Sequence, residues 1–201
     1  MYKSVLALIV VISLLSSCHK KDKKQLEETL NVYLSGLMTF DKNLIDHFPL
    51  EFYSDEIKDF HFTSPSIVKK GGCSTALLRI NPDTVHFNEI LLNAKNNYRK
   101  IDLNGSKNLI ILPDSSNHRI VASPIFIPNF DKVNESEENI VNKSNNDYHI
   151  YLINTKPGNY VLNSEELKEK PYLPMDWEHG FSRGIAIDTT NQSIIFWLII
   201  W

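Results

Sequence analysis

The last eight residues, Ile194-Ile195-Phe196-Trp197-Leu198-Ile199-Ile200-Trp201, contain no polar side chain. A strand points successive side chains to opposite faces, so a run with no polar face must be covered on both sides, as in the middle of a sheet. The rival reading is a membrane span. A helix of this length reaches only about 12 Å, far less than the ~30 Å of a bilayer core. Just before it, Phe181 to Asp188 reads as a second strand and Thr189 to Gln192 as a turn. The segment 181–201 is therefore expected to be a β-hairpin whose second arm is central in a sheet. Removing its final residues should be severely destabilising.

Upstream, Leu26, Leu30, Tyr33, Leu34 and Leu37 recur at helical spacing and predict a helix over 22–38. A shorter helix is expected through Lys42 to Phe48, before Pro49. Ser74 to Ile80 reads as a strand followed by the turn Asn81-Pro82-Asp83. Phe87, Ile90, Leu91, Ala94 and Tyr98 then mark a helix over 84–99. Leu109 to Leu112 and Tyr148 to Asn154 are further strand candidates. Ile120 to Ile127 suits an edge strand, because Pro124 cannot donate to a ladder. Residues 128–147 are polar and rich in asparagine, as a surface loop would be, Lys156 to Asn159 reads as a turn, and Ser164 to Lys170 suits a further helical stretch. Together these predict a single α+β domain over 25–201, with an N-terminal helix packed on a mainly antiparallel sheet that ends in the C-terminal hairpin.

The amino terminus has a different logic. Lys3 precedes an uncharged run from Val5 to Ser17, too short to span a bilayer, and the pattern is that of a secretory signal. Leu15-Ser16-Ser17-Cys18 resembles the lipobox of bacterial lipoproteins, in which small residues admit the peptidase and the cysteine thiol takes a diacylglycerol. Residues 1–17 are expected to be removed, leaving Cys18 as a lipid-bearing first residue and the basic stretch 18–24 as a tether. Two or more acyl chains hold a protein stably on a membrane, whereas one does so marginally.

The net charge of −3 becomes more negative once Lys3 is lost, which argues against nucleic acid as a partner. The chain has two cysteines. With Cys18 acylated, Cys73 has no intramolecular partner, and it reads as a small buried hydrophobe.

Gly180-Phe181-Ser182-Arg183-Gly184 matches G-x-S-x-G, the nucleophile elbow of α/β-hydrolases. That elbow needs a helix after the serine and a histidine further along, but Ile185-Ala186-Ile187 reads as strand and no histidine follows. Seven histidines are scattered without H-x-H or H-E-x-x-H spacing, so neither a metal nor another cofactor is expected. Trp177, His179 and Arg183 could still line a ligand pocket, as an aromatic platform, a titratable group and a cation. The plainer account is a loop pinned by tryptophan burial.

Lys156-Pro157-Gly158-Asn159-Tyr160, the pattern L-P-x-x-W-x-H-G-x-S-x-G-x-A-I from Leu173 to Ile187, and the aromatic C-terminus resemble a group of small uncharacterised lipoproteins of Bacteroides-type bacteria. The resemblance covers the lipobox and about the last quarter of the chain, and it implies no activity. In such bacteria acidic residues after the lipidated cysteine direct surface export. The basic Lys20-Lys21 therefore implies an outer-membrane anchor facing the periplasm. A non-enzymatic role in binding a protein or glycan partner is the leading expectation. The alternatives are an immunity-type lipoprotein that neutralises a toxin, which would carry an acidic exposed patch, and a hydrolase assembled around His179, Ser182 and Arg183.

Overall fold

The computed structural model describes residues 24, 26–52, 56–102, 109–112, 124–130, 148–161 and 173–201. The expected signal and Cys18, almost all of the tether, the start of the 120–127 strand, most of the 128–147 loop and the 164–170 helix lie outside the described residues. The chain forms two compact units, Met1–Gly36 and Leu37–Trp201. Helix α1 runs from 26 through the end of the first unit to 37. Its less exposed side is the predicted stripe, with Tyr33 fully buried, while Glu27, Glu28, Asn31, Val32 and Ser35 are exposed. No helix among the described residues is long and apolar enough to cross a membrane.

The second unit is built on one six-stranded sheet. Its strands are β1 (Ile57–Phe62), β2 (Ser74–Ile80), β3 (Arg99–Ile101), β6 (His149–Pro157), β7 (Gly180–Asp188) and β8 (Ser193–Ile200), ordered β1-β2-β8-β7-β6-β3. Every pairing in it is antiparallel. A separate pair, β4 (Leu109–Leu112) with β5 (Ile125–Pro128), is parallel. Among the described residues two α-helices join it: α2 (Lys42–Ile45) and α3 (Thr84–Asn97). The class is α+β, with an N-terminal helix and a mainly antiparallel sheet closed by the β7–β8 hairpin.

β8 lies between β2 and β7, and all eight of its residues are buried. Each large apolar side chain so buried contributes about 1.5–3 kcal/mol in transfer from water. On one face Ile195, Trp197, Ile199 and Trp201 join a core with Phe126, Ile127, Phe130 and Ile150. On the other, Ile194, Phe196, Leu198 and Ile200 lie alongside Phe181, Ile185 and Ile187, and the Phe48 ring sits 6.2 Å from that of Phe196. The turn between β7 and β8 is held by Asp188, whose buried carboxylate accepts from the backbone N–H of Thr190 and Asn191 and from Asn191 Nδ2.

Several elements depart from the sequence reading. The 42–48 helix is a single turn, Lys42–Ile45, capped by Asp41, and α3 stops at Asn97 because Arg99–Ile101 pairs with β6. Of the strand expected over 120–127, the described part lies in β5, which runs on to Pro128, and its partner β4 runs parallel. β1 and the 3₁₀ turns at Pro65–Lys70 and Met175–Trp177 were not foreseen. Cys73 is only partly buried, although it does pack against the core.

The glycines of the G-x-S-x-G run are explained by Trp197 of the last strand and Trp201 just after it. Gly184 is paired with Trp197, and Gly180 exchanges backbone hydrogen bonds of 3.0 and 3.2 Å with Trp201. A Cβ on Gly184 would collide with the Tyr151 carbonyl oxygen and lie 2.6 Å from Trp197 Cζ2; one on Gly180 would lie 2.6 Å from Trp201 Cζ2. Indole rings thus lie across bare backbone, a known way of covering glycine in a sheet. At Gly72 the nearest atom is Ile67 Cγ1 at 3.1 Å, on a side chain able to shift. Gly184→Ala should therefore cost about 2–3 kcal/mol or more, and Gly72→Ala clearly less. Urea denaturation of the two variants in parallel checks the ranking, and equal costs would refute this account of the motif.

Candidate functional site

Alternation along β7 separates the residues that the sequence places close together. Gly180, Ser182 and Gly184 face the β5 side, whereas Phe181, Arg183 and Ile185 face the other. Ser182 is 0 % exposed and its Oγ donates to the carbonyl oxygen of Phe126. A nucleophile must reach its substrate and stand beside a base, and this hydroxyl is instead part of the join between β7 and β5. Ser182→Ala should cost about 1–2 kcal/mol by leaving the Phe126 carbonyl without its donor. Thermal denaturation would register this as a lowered Tm.

The three candidate ligand residues do not converge. Trp177 stacks on Trp201 at 10° between planes, with 6.3 Å between centroids, and its carbonyl accepts from Trp201 Nε1 at 3.0 Å. These contacts tie the half-buried Trp177 to Trp201. His179 is half-buried; its carbonyl accepts from Gly158 N–H at 2.9 Å, and its Nδ1 makes no hydrogen bond among the described residues. Arg183 lies on the opposite face of the sheet from Trp177, donating to the Asn43 carbonyl at 2.8 Å and forming an ion pair with Asp46.

That ion pair, in which Asp46 stays exposed, adjoins a buried histidine the sequence does not advertise. The His47 side chain is only 3 % exposed, and its Nε2 lies 3.1 Å from the Trp197 carbonyl oxygen. A carbonyl only accepts, so Nε2 carries the proton and Nδ1 is bare, 4.0 Å from Asp46 Oδ1. Burial lowers the His47 pKa to about 4, helped by the nearby Arg183 guanidinium and opposed by the Trp197 carbonyl and Asp46. The folded value lies below the ordinary 6.5, so the unfolded chain takes up the proton first as pH falls. This contribution is fully present above about pH 6.5 and is lost progressively towards pH 4, by roughly 3 kcal/mol in all. His47→Gln should flatten the slope of stability across that window in chemical denaturation. An unchanged slope would show that another group titrates there.

One open feature of this unit is a groove of about 500 Å³ beside the first turns of α3, lined by Glu51, Phe52, Asp83, Val85, His86 and Glu89. Two of its members have structural duties. Asp83 caps α3 by accepting from His86 N–H at 2.8 Å. His86 Nδ1 lies 2.9 Å from Oε1 of the buried Glu56, so this nitrogen donates to the carboxylate. Glu51, Val85 and Glu89 remain exposed. Outside the lining residues, Leu92 is exposed one heptad after Val85 on the same helix, and Leu50 precedes Glu51.

Asp83 was read from the sequence only as part of a turn, and none of these residues as a binding surface. One signal was available: Val85 and Leu92 fall off the helical stripe formed by Phe87, Ile90, Leu91, Ala94 and Tyr98. Among the described residues no group of three or more histidine, cysteine or carboxylate side chains is placed to hold a metal ion. No protein-family model matches the chain, and neither the curated proteins nor the solved structures include a significant match to it.

Proposed function

We propose that this protein is a membrane-anchored lipoprotein of the cell envelope, held by lipid on Cys18, whose domain binds a partner and performs no catalysis. The groove beside α3 carries the binding part of this reading. It combines apolar walls, Phe52 and Val85, with exposed carboxylates, Glu51 and Glu89, in an open concavity. By contrast, the serine of the only hydrolase-like motif read from the sequence is sealed against Phe126. The lipobox Leu15-Ser16-Ser17-Cys18 carries the anchoring part, and the basic residues after it favour the periplasmic side of the outer membrane. The surface favours a protein over a glycan as partner, since its polar groups are mostly carboxylates set among aliphatic side chains. Those carboxylates also favour a second, narrower reading, an immunity-type lipoprotein, because such a protein meets a basic toxin through an acidic surface.

Cys18→Ala decides the anchor. The wild-type chain should partition with membranes and into the detergent phase, and the variant should move to the soluble fraction. Persistence of the variant in the detergent phase would refute lipid attachment at Cys18.

A further inference from the structure

Two facts about α3 are left over once its packing is accounted for. The buried side of the helix is carried by Phe87 and Ala94, with Ile90, Leu91 and Tyr98 half-buried. Val85 and Leu92 contribute nothing to that side and stand 70 % and 60 % exposed. They are seven residues apart, two turns along one face, and Glu89 lies between them at helical spacing from both. Leu50, 62 % exposed, directly precedes Glu51, an exposed residue of the groove lining. A helix face turned to water has no need of two large aliphatic residues in register. Isolated exposed aliphatics are common, but an aligned set bordering a concavity marks a surface that is covered some of the time.

The charges say what covers it. Among the described residues neither Glu51 nor Glu89 forms an ion pair. A second copy of this chain, docked by two-fold symmetry through the same patch, would bring these carboxylates against their own equivalents. Anionic lipid head groups would be repelled for the same reason. A segment that alternates Lys or Arg with aliphatic residues satisfies both halves of the surface. Its aliphatic side chains meet Val85, Leu92 and Leu50, and its cations meet Glu51 and Glu89.

We propose that the groove and the adjoining face of α3 form a docking site for a cationic amphipathic segment of a partner protein. This rests on the binding reading above and adds to it the chemistry of the partner and the residues that recognise it. Apolar contact supplies affinity, and charge complementarity supplies register and encounter rate.

The test uses the full chain in zwitterionic detergent and a fluorescein-labelled helical peptide of leucine and lysine as probe, followed by fluorescence anisotropy. Saturable binding is expected, weakened about tenfold or more by Glu89→Lys or Glu51→Lys and weakened at high salt. Val85→Ser and Leu92→Ser, at exposed positions where folding is not at stake, should also weaken it. Asp176→Lys makes the same charge change at an exposed residue outside the groove and should leave binding unchanged. Equal loss in Asp176→Lys and Glu89→Lys would overturn the proposal, because the peptide would then be reading only the net charge. Full binding by Val85→Ser and Leu92→Ser would overturn it too, as would dimerisation of the chain in sedimentation that Val85→Ser abolishes. These outcomes are independent of the anchor: loss of the lipid assignment leaves the groove as it is, and an inert groove leaves Cys18 lipidation untouched.

Discussion

The fit between the last two tryptophans and the two glycines opposite them is the contact on which the rest of the sheet depends. Trp197 and Trp201 are too large to lie flat over a neighbouring strand that carries side chains at the paired positions. Gly184 and Gly180 leave that space open. The rings then become the floor on which Trp177 stacks at one end and Phe126 packs, 4.3 Å from Trp201 between centroids. Ser182, between the two glycines, ties the same face to β5 through the Phe126 carbonyl. A run of residues that resembles a catalytic elbow is thereby accounted for by packing alone.

The opposite face of the same strands is organised by polarity. Arg183 projects there and is held by Asp46 and the Asn43 carbonyl at the end of α2. His47 then reaches the Trp197 carbonyl from that side. Burial of the imidazole, with a smaller push from the Arg183 guanidinium, holds the His47 pKa down and keeps the ring neutral. These contacts hold the end of α2 and His47 against β7 and β8, and the residues that follow supply Glu51 and Phe52 to the groove.

Much of this was legible in the sequence where the signal is local. The unbroken apolar run from Ile194 to Trp201 announced a two-sided strand, and the spacing of Phe87, Ile90, Leu91 and Ala94 announced α3. Strand after Ser182, with no histidine beyond it, was enough to doubt the elbow. What escaped depends on partners distant along the chain. β1 (IKDFHF) mixes charge with aromatics, as an edge strand can, and becomes a strand because β2 lies beside it. The parallel alignment of β4 and β5 has no local marker. The groove joins residues 51–52 to 83–89, and the His47 cluster joins α2 to strands well over a hundred residues later. Periodicity within one element carries no information about which elements meet.

The position of β8 also bears on the order in which the chain can assemble. β1 and β2 form one ribbon, and β3, β6 and β7 form another, each from segments made earlier. Only β8 touches both, so the two ribbons have no common strand until the latest of the six to leave the ribosome arrives. Pairings such as Leu78 with Phe196 close very long loops, and sheets of this kind fold slowly. For a chain that must stay unfolded while it is threaded through an export channel, as the proposed lipoprotein would, that delay is useful. In that proposal the signal at one end would engage the channel while the strand that locks the fold had yet to be made.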